Sequence, residues 1–149
     1  MITTIITDLD EVIRIFPSQR NDEYEKRLNL PKGTLLKQTF EHPDLDKVLK
    51  GEISDAEWRR KITFRIQKIA PLKDLVQSIK EWSSFPGILN HEIMNLYLKY
   101  KERGIKLVLL TNATDKLKKD LDTHSIYDKF DLIINSSEIG KIKPNPDIF

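Results

Sequence analysis

The sequence of 149 residues lacks cysteine, which excludes a disulfide framework, a thiolate zinc site and a thiol nucleophile. It also lacks an excess of one charge, because 25 Lys and Arg residues nearly balance 23 Asp and Glu residues. Without a one-sided electrostatic field, neither nucleic acid nor a membrane surface is expected as a partner. The sequence shows neither a signal-peptide pattern nor the roughly 20 consecutive apolar residues of a membrane span. We therefore expect a cytoplasmic protein.

The first and last thirds of the chain contain short apolar runs that alternate with helical patterns. Residues 2–7 are β-branched and apolar and precede two aspartates, which predicts a buried parallel strand. Residues 105–110 and 131–134 predict two further strands, with a helix around residues 115–123 between them. This alternation predicts an α/β fold with a doubly wound, parallel-sheet (Rossmann-like) core.

The middle of the chain interrupts that alternation with a helical segment. Two apolar stripes at helical spacing run through it, one at Trp58, Ile62, Ile66 and Ile69 and one at Leu72, Leu75, Val76, Ile79 and Trp82. We interpret both tryptophans as core packing; the alternative is that either one lines the inner face of the cap and touches the substrate. The sequence therefore predicts an all-helical cap at residues 17–83, inserted into a core of residues 1–16 and 84–149.

Polar residues follow the predicted strands, at the sheet edge where ligands bind in open α/β folds. Asp8 and Asp10 end the first strand, and two residues of an extended chain that are separated by one point the same way. An ionised Asp8 can attack phosphorus, and a protonated Asp10 can donate to a leaving group. The alternative is that the two aspartates only form a turn or cap a helix.

The next strand and the loop near the end of the chain supply the other candidates. Thr111 and Asn112 follow residues 106–110, where a hydroxyl and backbone amides can bind phosphoryl oxygens. Lys143 precedes a proline and can offset the negative charge of Asp8 and a phosphate. Each of these features alone is typical of a turn or a solvated lysine, but their order along the chain is specific.

These motifs together resemble those of the haloacid dehalogenase-like (HAD) hydrolases, in the group with a helical cap inserted soon after the first strand. The resemblance is carried by residues 7–10 (TDLD), 85–89 (FPGIL), 104–112 and 131–149. It implies that Asp8 is the nucleophile that becomes an aspartyl-phosphate and that Asp10 is the general acid and base. It also implies that Thr111, with Asn112 beside it, binds the phosphoryl group and that Lys143 stabilises its charge.

The resemblance further implies a Mg²⁺ cofactor bound at Asp8 and Asp10 and a small phosphorylated metabolite as substrate. Two departures stand out. Glu11 occupies a position where the family usually has a small residue, and the family's last acidic motif, which completes the magnesium site, would lie beyond Phe149. We expect a fragment of a longer protein. The other readings are a homo-oligomer that covers the exposed sheet edge, a partner chain that supplies the missing acid, and an inactive remnant.

Other functions of such a site stay open at the level of sequence. The same scaffold serves dehalogenases and phosphomutases, and signalling receiver domains also use a phospho-accepting aspartate on a doubly wound sheet. Among the remaining residues, Arg14 is interpreted as solvated, the alternative being that it binds a phosphate or carboxylate of the substrate, and Lys116, Lys118 and Lys119 are interpreted as an exposed helix face.

Overall fold

The computed structural model describes residues 2–70 and 74–148, and it contains both strands and helices. The strands in chain order are β1 (Thr4–Thr7), β2 (Arg14–Ile15), β3 (Ile88–Leu89), β4 (Lys106–Thr111) and β5 (Leu132–Asn135). The helices in chain order are α1 (Ser18–Arg27), α2 (Thr34–Phe40), α3 (Leu45–Leu49), α4 (Asp55–Gln67), α5 (Leu75–Ser84), α6 (His91–Glu102), α7 (Leu117–Thr123) and α8 (Ser136–Ile139). Two single turns of 3-10 helix cover Tyr127–Lys129 and Pro146–Ile148.

The main sheet is parallel, with the strand order β1-β4-β5. The predicted α/β class with a parallel sheet is confirmed, and β4 is its central, buried strand. The prediction that the first strand is buried is wrong at Ile6, which is 59% exposed. The reason is that β1 pairs only with β4 among the described strands, so that its other edge has no neighbour there.

The register of the sheet brings distant residues to one edge. Thr7 lies opposite Leu109, and Thr111 lies opposite Asn135. Because all three strands run in the same direction, the segments that follow β1, β4 and β5 leave the sheet on the same side. Residues from three separate parts of the chain therefore meet at the carboxyl edge.

Helices α1 to α5 lie between β2 and β3, which pair with each other as a short antiparallel ribbon. These helices bury an apolar cluster of their own that includes Leu35, Trp58, Ile66 and Leu75. Ser54 caps the start of α4, and its hydroxyl accepts a hydrogen bond from the backbone N–H of Glu57 at 3.1 Å. The division of the chain into a core and a cap stays a prediction. Leu72 of the second stripe, with Met1 and Phe149 of the predicted core, lies outside the described residues.

The helices beside the sheet bury a second apolar cluster, which contains Leu9, Met94, Leu109 and Leu121. Leu9 is fully buried, so the side chain that lies between the two aspartates in sequence points into the interior. In the described part of the chain, no helix is long and apolar enough to cross a membrane.

Candidate active site

The turn that follows β1 is tightly wound around one carbonyl group. The carbonyl oxygen of Leu9 accepts hydrogen bonds from the backbone N–H groups of Ile13 and Arg14, both at 2.9 Å, and a longer one from Val12 at 3.4 Å. Glu11 takes a φ of 60°, which lets the chain reverse within this turn. The turn therefore folds Arg14 back toward Asp10.

Asp8 lies at the carboxyl end of β1 and contacts Lys143 from the far end of the chain. The Lys143 Nζ atom lies 2.6 Å from Asp8 Oδ2, and it also donates to the carbonyl oxygen of Leu110 at 2.9 Å. The other Asp8 oxygen, Oδ1, accepts a hydrogen bond from its neighbour Leu9 N–H at 2.8 Å. The Asp8 side chain is 44% exposed, so it is held in place and still open to solvent.

Asn112 holds the backbone of the Lys143 loop. Its Oδ1 accepts from the Lys143 N–H at 2.7 Å, and its Nδ2 donates to the Lys143 carbonyl oxygen at 3.1 Å. Thr111 ends β4 and is 1% exposed. Asn112 was predicted only as a phosphoryl-binding neighbour of Thr111, and the structure adds that its amide fixes the lysine loop against the end of β4.

Asp10 has a cation of its own. Arg14 Nε donates to Asp10 Oδ1 at 2.6 Å, and Arg14 Nη1 donates to Asp120 Oδ2 of α7 at 2.8 Å. The interpretation of Arg14 as solvated is wrong, because the residue is only 6% exposed. Burial opposes its charge, but hydrogen bonding and the charge of Asp10, followed by those of Asp120, outweigh burial and raise the pKa of Arg14.

Lys116 belongs to the same network of charges. Its Nζ lies 3.0 Å from Asp120 Oδ1, and its side chain is 18% exposed. The predicted exposed helix face is therefore wrong for Lys116, although Lys118 and Lys119 are exposed. Lys116 differs because Asp120 stands one helical turn further along α7 and is itself buried.

The helical segment contacts the loop that follows β4. Thr114 Oγ1 donates to Asp55 Oδ1 at 3.1 Å, and the Asp55 N–H donates to Asp115 Oδ1 at 2.9 Å. Asp55 is the first residue of α4 and also pairs with Arg59 on the same helix. The start of α4 is thereby attached to the segment that carries Thr111 and Asn112.

A cavity of about 750 Å³ lies between the helical segment and the carboxyl edge of the sheet. Of the predicted site residues, Asp10 and Asn112 belong to its lining, while Asp8, Thr111 and Lys143, all described, lie outside the lining. A shallower depression of about 440 Å³ is lined by residues of the helical segment alone. The larger cavity therefore adjoins the Asp8–Lys143 pair and is the candidate binding site.

The residues present fit an incomplete magnesium site. Within residues 2–70 and 74–148, no group of three His, Cys, Asp or Glu side chains could hold a metal ion. Asp8 and Asp10 nevertheless provide two carboxylates at the end of β1, and Mg²⁺ is often bound through one or two carboxylates together with water and substrate phosphate. This donor set suits a magnesium ion that shares its ligands with a phosphate group.

Comparison with solved structures gives the fold a name, although no family model matches the sequence. The HAD family enzyme BT-2542 of Bacteroides thetaiotaomicron superimposes with a TM-score of 0.69 at 24% identity, over 99% of this chain and 75% of the enzyme. This chain has the HAD fold. A structure of wild-type BT-2542 in complex with magnesium and inorganic phosphate matches at 22% identity with a TM-score of 0.64, again over 99% of this chain and 75% of that enzyme.

A second protein with the HAD fold comes from Porphyromonas gingivalis. This protein, a predicted HAD-like family hydrolase, matches with a TM-score of 0.57 at 21% identity, over 100% of this chain and 73% of the other protein. Both comparisons cover the helical segment as well as the sheet. They place the whole described chain within one known architecture.

Sequence reasoning missed several residues that support the site within the HAD fold. Asn135 ends β5 and Ser136 follows it; both are buried, and Ser136 Oγ accepts a hydrogen bond from the Ala113 N–H at 3.1 Å. Asn135 Nδ2 donates to the Thr114 carbonyl oxygen at 3.1 Å. Their position just after a predicted strand was a usable signal, whereas Asp120 gave none because its partner Arg14 lies 106 residues away.

Proposed function

We propose that this protein is a Mg²⁺-dependent phosphohydrolase that cleaves a small phosphate monoester through an aspartyl-phosphate on Asp8. The observation that carries the proposal is the 2.6 Å contact between Lys143 Nζ and Asp8 Oδ2 at the carboxyl edge of a HAD-fold sheet. An ammonium group at this position can attract a phosphate and offset the charge that builds up as Asp8 attacks. The complex of BT-2542 with magnesium and inorganic phosphate supports the same chemistry.

The proposed reaction has two displacements at phosphorus. In the first, Asp8 Oδ forms a bond to phosphorus while the bond to the ester oxygen breaks, and Asp10 gives a proton to that oxygen. In the second, Asp10 takes a proton from a water molecule, whose oxygen attacks phosphorus and breaks the bond to Asp8. The products are an alcohol and phosphate, and both aspartates return to their starting states.

The side chains around the two aspartates have separate proposed tasks. Thr111 and the adjoining backbone amides bind phosphoryl oxygens, and Asn112 keeps Lys143 directed at Asp8 through its two hydrogen bonds to the lysine backbone. Asp8 and Asp10 would hold the magnesium ion. When bound, the ion would supply positive charge that lets an anionic nucleophile approach an anionic phosphate.

We further propose that residues 17–83 form a cap over this site and that residues 1–16 and 84–149 form the catalytic core. Two features support this division. The helices between β2 and β3 have an apolar cluster of their own, and α4 contacts the loop after β4 through Asp55 and Thr114. A cap in this position would exclude bulk water from the reacting phosphate, apart from the water molecule used in the second displacement.

The test is phosphate release with and without Mg²⁺ over a panel of small phosphate monoesters. Asp8→Asn should lower the rate at least a thousandfold, and Lys143→Met should lower it about a hundredfold because an aligned positive donor is lost. Asp128→Asn is the matched control, since this carboxylate is 75% exposed and pairs only with its neighbour Lys129 among the described residues. Activity in Asp8→Asn equal to that of Asp128→Asn would remove Asp8 from the reaction.

Other outcomes of this assay distinguish the remaining functions of the scaffold. Release of chloride from a haloacid would indicate a dehalogenase, and phosphate exchange without hydrolysis would indicate a mutase. A phospho-Asp8 that persists for hours in Mg²⁺ would indicate a receiver-like role. Calorimetry that detects no Mg²⁺ binding at millimolar concentration, even with phosphate present, would indicate an impaired site.

A further inference from the structure

The cavity between the helical segment and the sheet edge is lined by aromatic rings as well as by charged groups. The aromatic residues come from the helices α2, α4 and α5 and from both segments that connect the helices to the sheet: Phe16, Phe40, Trp58, Trp82 and Phe85. Five aromatic rings around one cavity favour a ligand with a planar or apolar body, because apolar surface of both ligand and protein is removed from water when they bind. The rings alone do not specify where a polar group of the ligand would bind.

Within the described ranges, the charges in the lining are paired, with one cation and one acid as the exceptions. Arg14, Arg59 and Lys116 each form an ion pair with an aspartate of the same cavity. Among the described residues, Arg20 is the lining cation without a carboxylate partner. Glu11 is the lining acid without a cation, and its Oε1 accepts a backbone hydrogen bond from Phe16 at 3.3 Å.

The guanidinium of Arg20 is held in place, and part of its donor capacity is unused. It lies 4.6 Å from the ring centroid of Tyr24 and 4.5 Å from that of Phe85. Its Nη2 donates to the Glu81 carbonyl oxygen at 3.0 Å, whereas Nη1 is buried and has no hydrogen-bond partner in the described part of the chain. A buried donor left unpaired is unfavourable, and an acceptor on a ligand would remove that cost.

Trp58 provides a second donor of the same kind. Its Nε1 is also buried without a partner among residues 2–70 and 74–148, and its ring lines the same cavity. Two donors from different helices, α1 and α4, are thus unpaired around one cavity. Both are shielded from water, so an acceptor reaches them only when the side chains turn slightly toward the cavity.

We propose that the cavity binds the leaving group of an aryl phosphate that carries a carboxylate on the side away from the phosphoryl group, with Arg20 as the residue that recognises the carboxylate. The proposal rests on the proposed function, which assigns the phosphoryl group to Asp8 and Lys143. The aromatic rings contact the arene, and Arg20 matches a carboxylate because its planar fork can donate two parallel hydrogen bonds. Arg20 thereby determines specificity without contacting the reacting atoms.

The experiment uses phosphonates that bind without turnover. Binding of benzylphosphonate is compared with binding of 4-(phosphonomethyl)benzoate, by calorimetry and by tryptophan fluorescence. Trp58 and Trp82 are the two tryptophans of the whole chain and both line the cavity, so their quenching reports binding there. The wild-type protein should bind 4-(phosphonomethyl)benzoate at least about tenfold more tightly than benzylphosphonate, because one charge-assisted hydrogen bond contributes that much to affinity.

Arg20→Gln should abolish that preference and leave benzylphosphonate binding within about twofold. Arg20→Lys keeps the positive charge but loses the planar guanidinium, so it should retain part of the preference for 4-(phosphonomethyl)benzoate. Arg27→Gln is the matched control, since Arg27 lies on the same helix, also stacks on Tyr24 and is outside the cavity lining. Equal binding of both phosphonates to the wild-type protein, or a preference that survives Arg20→Gln, overturns the proposal.

A third ligand, 4-methylbenzoate, separates this proposal from the proposed function because it has no phosphoryl group. Suppose that 4-methylbenzoate quenches tryptophan fluorescence in a way that depends on Arg20, and that 4-(phosphonomethyl)benzoate binds no more tightly than 4-methylbenzoate. This result would support the carboxylate site and contradict the phosphoryl site. Tighter binding of both phosphonates than of 4-methylbenzoate, without any dependence on Arg20, would do the reverse.

Discussion

Gly87 is the residue whose substitution tests the packing around Arg14 most directly. It lies between α5 and β3 with a φ of 84°, a conformation that favours glycine. A Cβ added there would lie 2.5 Å from Cγ and 2.8 Å from Cδ of Arg14. Arg14 is not free to move aside, because its guanidinium is bound to Asp10 and Asp120. Gly87→Ala should therefore strain the backbone and displace the arginine at the same time.

The two effects can be separated by comparison with Gly104→Ala. Gly104 has nearly the same φ, 82°, and no described atom lies within 4 Å of the Cβ that alanine would add. Gly104→Ala should cost about 1–2 kcal/mol for the left-handed conformation alone. Gly87→Ala should cost a further 1–3 kcal/mol, roughly the cost of overpacking, because Arg14 must shift.

Urea unfolding followed by tryptophan fluorescence measures both costs. With a slope of about 2 kcal/mol per molar urea, Gly104→Ala should lower the midpoint by about 0.5–1 M and Gly87→Ala by about 1–2.5 M. In an Arg14→Ala background, which removes Cγ and Cδ, the extra cost of Gly87→Ala should disappear. Equal midpoints for the two glycine variants, or strict additivity with Arg14→Ala, would refute this account of the packing.

Three further predictions follow from individual contacts. The hydrogen bond to Lys61, followed by that to Lys47, lowers the pKa of Asp44 to about 2, so its stabilising effect is lost as pH falls from about 4 to 2. NMR titration should show a higher pKa in Lys61→Met, and an unchanged pKa would contradict that cause. Ser54→Ala should cost about 1 kcal/mol in urea unfolding through the lost helix cap. Asn112→Ala should loosen the lysine loop and lower phosphatase kcat about tenfold or more with the helix content by circular dichroism unchanged.

The sequence predicted those features of the fold that depend on local periodicity. The apolar runs at residues 105–110 and 131–134 became β4 and β5 with shifts of one residue at their ends. Helix α6 ends at Glu102, and Gly104 just beyond it takes the positive φ that commonly follows a helix. Burial of the first strand was predicted wrongly. Burial depends on which strands lie beside it in the sheet, and the periodicity of apolar residues does not reveal the neighbours of a strand.

Predictions about individual side chains failed where the partner is distant in sequence. Arg14 looks solvated in a local pattern, and it is buried only because Asp120 reaches it from α7. Lys116 is drawn into the same network. No pattern in the sequence indicated a role for Arg20. Its guanidinium is held by Glu81, Tyr24 and Phe85, which come together only when α1 packs beside α5.

The arrangement of cations explains how two aspartates so close in sequence can face one anionic ligand. Asp8 is bound to Lys143 and Asp10 to Arg14, so repulsion between the two side chains, whenever both are ionised, is offset by the protein itself. Lys143 is the more accessible of the two cations, with 22% of its side chain exposed against 7% for Arg14. A phosphate that binds at this edge can therefore share Lys143 with Asp8, while Arg14 continues to hold Asp10 in position.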